Sequence, residues 1–208
     1  WFQRPSPNQN FHFCQDKIIT TAGEGGLVVC SNESQWKIVW SYKDHGKGYD
    51  KVFHHVHPPG FRWLHEDFGS NYRMTEIQAA IGRLQLKKLE TWTKIRQKYA
   101  AIYNDYFLGL AAVRLMQLPK NISHAYYRYD FFIKPEALRK GCSRDTLMEG
   151  ANQLGVPCVA GKSSEIYLEQ AFVKNNLKPA KRLPIAQALS ETSLALLVDP
   201  IFTEVEIR

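Results

Sequence analysis

Apolar and β-branched residues concentrate first between Lys17 and Thr21 and again between Leu27 and Cys30, with Gly23-Glu24-Gly25-Gly26 separating them. Glycines make positive φ inexpensive at a turn, so the pattern predicts a hairpin over residues 17–30. Asn32 then stands where an amide side chain caps a helix, and Trp36, Val39 and Trp40 follow at helical spacing. Residues 43–73 have no period. Loops of that length inside a compact domain are functional or disordered, and the many aromatics here argue against disorder.

Thr75 and Gln78 have the spacing of a capping box and open the strongest helical pattern of the chain. Ile77, Ile81 and Leu84 share one face, and after a slip near Lys87 the pattern resumes with Leu89, Trp92, Ile95, Tyr99, Ile102, Tyr103 and Tyr106. One long kinked helix or two joined helices satisfy it. Beyond lie a strand at Tyr126 to Ile133, a helix capped by Ser143, a strand near Val156 to Val159, a helix near Pro184 to Leu189 and a strand from Ser193 to Val198. This β-α-β-α-β order predicts a small α/β layer packed on helices, with a boundary at Ala111 to Asn121. Both ends read as cut. Gln3 to Asn10 has neither strand nor helix period, and Thr203 with Glu206 forms a capping box whose helix stops at Arg208, so a fragment is expected.

The composition, 44% hydrophobic, 12% aromatic and 23% charged over 208 residues, is that of a globular chain. The net charge of +7 raises the possibility of a nucleic-acid partner. Its lysines and arginines are scattered, however, and the densest run (Lys87, Lys88, Lys94, Arg96, Lys98) lies along the long helix as a solvated face, so no nucleic acid is expected. The four cysteines form no C-x-x-C pair, no secretory leader is present and no apolar run is long enough for a bilayer. Those features predict free thiols in a cytoplasmic protein. His54, His55, His57 and His65 are close in sequence, but they lack cysteine or acidic company and match no zinc spacing, so no metal is expected.

Lys17 precedes the glycine-rich turn instead of following it, which excludes a P-loop. A lysine that sheds its proton is a nucleophile toward carbonyl carbon. The segment Phe13-Cys14-Gln15-Asp16-Lys17-Ile18-Ile19-Thr20-Thr21-Ala22-Gly23-Glu24-Gly25-Gly26 resembles the S-F-x-x-x-K-x-x-T-x-G-E-G-G signature of the DegT/StrS sugar aminotransferases. Gly69-Ser70-Asn71-Tyr72-Arg73-Met74-Thr75-Glu76-Ile77-Gln78-Ala79-Ala80-Ile81-Gly82 is similar to that family's G-x-N-x-R-M-T-E-x-Q-A-A-I-G block. Further likeness runs through residues 40–47, 57–66, 155–158 and 191–194 and leaves 1–10 unmatched.

The resemblance implies an α/β fold of the type I pyridoxal-phosphate (PLP) class, aspartate aminotransferase-like and partial. Residues 11–112 would be the end of the large PLP-binding domain, including the long helix, and 113–208 a small carboxy-terminal α/β domain. It implies PLP as cofactor, with Lys17 as the lysine that bonds it. Asn71 would reach the cofactor phosphate of a partner subunit across a homodimer interface, with Arg73 in the same region and His124 facing the substrate. His12 stands where the family has a phosphate-binding serine, and the family's remaining cofactor contacts come from an amino-terminal half not found in residues 1–16. The implied activity is transfer of an amino group, from glutamate, to a nucleotide-linked keto-deoxysugar in lipopolysaccharide, O-antigen or secondary-metabolite synthesis. The rival expectation is a truncated, inactive remnant or a non-enzymatic binding module of the same fold.

Overall fold

The computed structural model describes residues 9–161 and 164–208. The chain forms two compact units, Trp1–Leu89 and Glu90–Arg208.

In the first unit a strand β1 (Gln9–His12) pairs antiparallel with β2 (Gly26–Val29), Phe11 opposite Leu27 and His12 opposite Gly26. This corrects the expected hairpin. Lys17 to Thr21 is not a strand but part of the connection, and the polar Gln9 and Asn10 take its place opposite β2. Main-chain pairing selects them although their side chains carry no β signal, because a ladder is built from backbone groups. Helix α1 (Glu33–Lys43) begins as expected at Asn32, whose side-chain oxygen accepts from the Gln35 N–H at 2.9 Å. A short helix α2 (Tyr49–Phe53) is held to α1 by Trp36, Trp40, Tyr49 and Phe53, with ring centroids 4.7 to 5.7 Å apart.

The stretch 43–73 is irregular in period but ordered by its backbone. Ser70 N–H donates to Tyr42 O at 2.7 Å, Tyr72 N–H to Lys43 O at 2.9 Å and Glu66 N–H to Gly46 O at 2.8 Å. Isolated bridges join Asp44 to Asn71 and Lys47 to His65. Gly46, at φ +81°, and Gly69 lie where these two segments cross, and a Cβ on either would overlap main-chain atoms of the other segment.

Helix α3 (Glu76–Phe107) is one continuous helix of 32 residues. The expected capping box forms, with Thr75 N–H donating to Gln78 Oε1 at 3.0 Å and Gln78 N–H to Thr75 Oγ1 at 3.3 Å. Its buried residues, Thr93, Arg96, Tyr99, Ala100 and Ile102, all follow the slip near Lys87. The slip therefore marks where the helix changes the set of side chains it serves, close to the division between the units.

The second unit contains an antiparallel sheet in the order β3 (Val113–Leu115), β4 (Tyr129–Ile133), β6 (Ser193–Leu196), β5 (Cys158–Ala160). The last three strands occur where expected. β3 was not anticipated, since three residues in a segment read as a linker carry no period. Helices α4 (Arg144–Gln153), α5 (Gln170–Lys174), α6 (Pro184–Thr192) and α7 (Glu204–Ile207) complete it. Both expected caps form, Ser143 with Thr146 and Thr203 with Glu206. Tyr99, Ala100 and Ile102 pack with Phe131, Ile133, Leu194, Leu196 and Val198 as the core. Among the described residues every buried apolar side chain belongs to this unit.

Glu165, 5% exposed, accepts from the Tyr167 hydroxyl and from the fork of Arg182, which also reaches Glu191 at 2.8 Å. The Arg182 hydrogen bonds outweigh burial and hold the Glu165 carboxyl at about 2, below its ordinary 4.5. A depressed carboxylate contributes stability that is complete above its unfolded value and is lost as pH falls toward the folded one. Stability of this unit is therefore expected to decline between pH 4.5 and about 2. Glu165→Gln should lower stability above that window and flatten the decline within it, as read from urea unfolding at a series of pH values. An unchanged acid slope would show that Glu165 does not drive it.

Candidate functional site

The connection between β1 and β2 carries Lys17. Phe13 N–H donates to Gly25 O at 2.9 Å, Lys17 N–H to Cys14 O at 3.0 Å and Thr21 N–H to Phe13 O at 3.2 Å, so the segment folds back on itself as a built turn. Lys17 has a side chain 33% exposed and its Nζ lies 3.7 Å from Asp16 Oδ1. His12, at the end of β1, is exposed.

Helix α3 fixes the glycine-rich end of that connection. Gln78 Nε2 donates to Glu24 O at 2.8 Å, and Gln85 Oε1 accepts from the Thr20 N–H at 2.8 Å. Thr21, fully buried, is enclosed by two glycines: a Cβ on Gly25 would overlap its Oγ1, and one on Gly82 would lie 3.0 Å from its Cγ2. Ala22 follows at φ 60°, a left-handed conformation that a non-glycine residue rarely adopts without such support. The T-x-G-E-G-G run is thus a rigid clasp on α3. Thr20 Oγ1, three residues beyond Lys17, is buried without a hydrogen-bond partner among the described residues.

Asn71 and Arg73 occupy the second strand of the crossed frame, both exposed. Asn71 Oδ1 accepts weakly from the Arg73 N–H at 3.5 Å. Arg73 Nη1 donates to Asp44 Oδ1 at 2.5 Å, and Lys47 Nζ donates to the same oxygen at 3.2 Å. Burial pushes the Asp44 carboxyl up, but the hydrogen bonds from Arg73 and Lys47 outweigh it and hold it below its usual value. Asp44 is the residue that sequence reading left without a role. Its signal was present in Lys43-Asp44-His45-Gly46-Lys47, where an acid beside an obligatory glycine precedes a lysine.

Arg73 shares with the glycine-rich clasp a cavity of about 1110 Å³ whose walls are mainly apolar, including Phe13, Leu27, Trp36, Trp40 and Met74. Lys17, His12 and Asn71 are not among its lining residues. His124 belongs to the second unit, on the segment before β4, with its Nδ1 3.1 Å from the Tyr126 N–H. The structure therefore places His12 at the end of β1, five residues before Lys17 on the connection that follows, and Asn71 with Arg73 on one frame, all in the first unit.

PLP requires an accessible amine, hydrogen-bond donors for a phosphate and a scaffold that keeps them fixed. The residues present fit that group: a partly exposed Lys17 on a clasped turn, an unpartnered Thr20 hydroxyl and an exposed His12. No group of three or more His, Cys, Asp or Glu able to hold a metal occurs among the described residues. No helix of the described residues is long and apolar enough to cross a membrane.

The chain is 44% identical to an aminotransferase from Psychrobacter cryohalolentis and superimposes on its structure with a TM-score of 0.90, over 96% of this chain and 53% of that one. A putative sugar aminotransferase from Streptococcus pneumoniae, solved in its PLP form, shares the fold at 17% identity, with a TM-score of 0.78 over 97% of this chain and 49% of that one. An uncharacterized protein of Methanocaldococcus jannaschii is 36% identical over 132 residues, 62% of this chain and 33% of its own length. The chain thus spans about half the length, or less, of these relatives. The model of the DegT/DnrJ/EryC1/StrS aminotransferase family matches residues 8–208, so the chain, with its clasped Lys17 and its Asn71–Arg73 frame, belongs to that PLP-dependent family and has the partial α/β fold of its members.

Proposed function

We propose that the intact protein is a sugar aminotransferase that moves an amino group, with glutamate as donor, onto the keto carbon of a nucleotide-linked deoxysugar, in the cytoplasm. The observation that carries this reading is Lys17, a partly exposed lysine on a turn that α3 clasps through Gln78, Gly82 and Gln85. When bound, PLP supplies a carbonyl carbon for the amine and a ring that accepts the electron pair released at the reacting carbon. Lys17 would hold the cofactor through its Nζ, which has to be neutral to do so. The same nitrogen, when not holding the cofactor, would be placed to take and return a proton at the reacting carbon. His12 and Thr20 Oγ1 would hold the phosphate from the subunit's own side, and Asn71 and Arg73 would hold it from the neighbouring subunit of a homodimer.

The exposed surface of the first unit supports the shared site. Trp63 is 82% exposed and Phe68 95%, and both belong to the ordered 41–73 frame that displays Asn71 and Arg73. Rigid, exposed aromatics beside phosphate donors suit a subunit interface. Products in lipopolysaccharide, O-antigen or secondary-metabolite pathways belong to this reading as well.

A second reading, a non-catalytic module of the same fold, is favoured by the open apolar cavity beside the clasp. Adding PLP to the chain, reducing with borohydride and locating the adduct by mass spectrometry separates the two. The expected label is on Lys17, and the total label on the chain should fall at least tenfold in Lys17→Ala. Labelling spread over surface lysines with none at Lys17 would sink the catalytic role.

A further inference from the structure

Residues 123–127 are gripped by two side chains of α3, Arg96 and Gln97. Gln97 Nε2 donates to Ser123 Oγ at 3.2 Å and to His124 O at 3.0 Å. Arg96, only 5% exposed, donates from Nη1 to Tyr127 O at 3.2 Å and, at 3.4 Å, to Tyr126 O, while its Nη2 meets Asp199 Oδ2 at 2.7 Å. Burying a guanidinium is costly unless charge and hydrogen bonds compensate it, and here most of the compensation comes from one loop and one carboxylate. Within that loop Tyr126 takes φ 48°, the left-handed region that disfavours a residue with a side chain. Strain of this kind persists only where the surroundings over-determine it, and it concentrates at functional sites.

The consequence falls on His124. The Tyr126 N–H points at His124 Nδ1, 3.1 Å away, and the Tyr126 ring meets the imidazole edge-on with centroids 4.5 Å apart. A backbone N–H can only donate, so Nδ1 must accept, and in the neutral ring the proton then resides on Nε2. Nε2 has no hydrogen-bond partner among the described residues.

We propose that Arg96 and Gln97 are positioning residues that hold the 123–127 segment so that His124 presents a fixed Nε2–H donor, able to bind an oxygen acceptor of the substrate but not to act as its base. This rests on the reading of His124 as a substrate contact. It assigns that contact one direction: the histidine gives a hydrogen bond to a phosphate or sugar oxygen. His124→Asn would keep an acceptor for the Tyr126 N–H and lose the Nε2–H donor. His124→Gln would reach outward but abandon the loop.

The test is a long-range ¹H–¹⁵N spectrum of the full chain at a pH where the ring is neutral, with His124 assigned by comparison with His124→Asn. A single Nε2–H tautomer gives two widely separated ring-nitrogen signals, and that is the expected result. Gln97→Ala should draw the two signals together as the tautomers mix. Because Arg96 is buried and its replacement risks unfolding, the half-buried Gln97 is the decisive variant. An Nδ1–H tautomer or a mixture in the unmodified chain overturns the proposal, as does a Gln97→Ala spectrum identical to it. Uridine diphosphate is then added as the probe. If the His124 signals do not move, the substrate reading of His124 fails while the tautomer assignment stands. If they move and Nε2 remains protonated, both hold.

Discussion

Gly46→Ala is expected to cost about 3 kcal/mol or more and to release the frame that holds Arg73. Gly46 sits at φ +81°, and an added Cβ would overlap the carbonyl of Asp67. The obstacle is main chain on the opposite segment, so no rotamer change relieves it. That same glycine receives the Glu66 and Asp67 N–H groups at 2.8 and 3.1 Å and donates its own N–H to Ser41 O at 2.8 Å. Moving it therefore breaks several backbone hydrogen bonds together, each buried one being expensive to leave unmade. Denaturant unfolding, together with the rate of proteolytic cutting within 43–73, measures the effect. Gly150→Ala is the matched control: it lies in α4 with nothing within 4 Å of the added carbon, and a helical alanine there should be neutral or better by about 0.5–1 kcal/mol. Equal stability of Gly46→Ala and the unmodified chain would disprove the crossed frame. Asp44 and Arg73 would be expected to lose their pairing in the variant, which ties this backbone position to phosphate binding in the proposed site.

Phe131→Ala should be nearly as damaging, about 3–5 kcal/mol. Phe131 is buried in the inner strand β4, its Cα opposite Leu115 on one side and Leu194 on the other. Its ring stacks on Phe107 of α3 with centroids 4.8 Å apart. Truncation would leave a void lined by a sheet and a helix that cannot close over it, so both the transfer energy and the packing are lost. Val56→Ala supplies the contrast, because Val56 is 100% exposed and no loss is expected. A Phe131→Ala chain that unfolds at the same denaturant concentration as Val56→Ala would show that the second unit does not depend on this sheet.

Much of this molecule was legible before any coordinates. Helix starts at Asn32, Thr75, Ser143 and Thr203 were readable because a cap is a local event: the side chain and the N–H it satisfies are three residues apart. The long helix was readable from its period, and even the slip near Lys87 carried information, since buried positions begin only beyond it. Lys17, Asn71 and Arg73 were singled out by residue type and order within two motifs.

The failures share one cause. Strand β1 was missed and Lys17 to Thr21 misread because the partner of β2 is chosen by main-chain pairing across a 13-residue connection, which apolar content does not report. β3 escaped for the same reason, being three residues whose identity as a strand comes from β4. The sequence around Asp44 hinted at its nearby partner Lys47 but not at Arg73, 29 positions away, which only folding brings to the same oxygen.

What the sequence determined alone was therefore the family, through its two motifs, and the helices with their caps, which are set by nearest-neighbour chemistry. What the tertiary structure decided was the use of those parts: the clasp of Thr21 between Gly25 and Gly82, the crossing of Gly46 with Gly69 and the hold of Arg96 and Gln97 on the main chain of residues 124–127. Each of these depends on backbone atoms meeting over long separations, and such contacts leave no periodic trace in the order of residues.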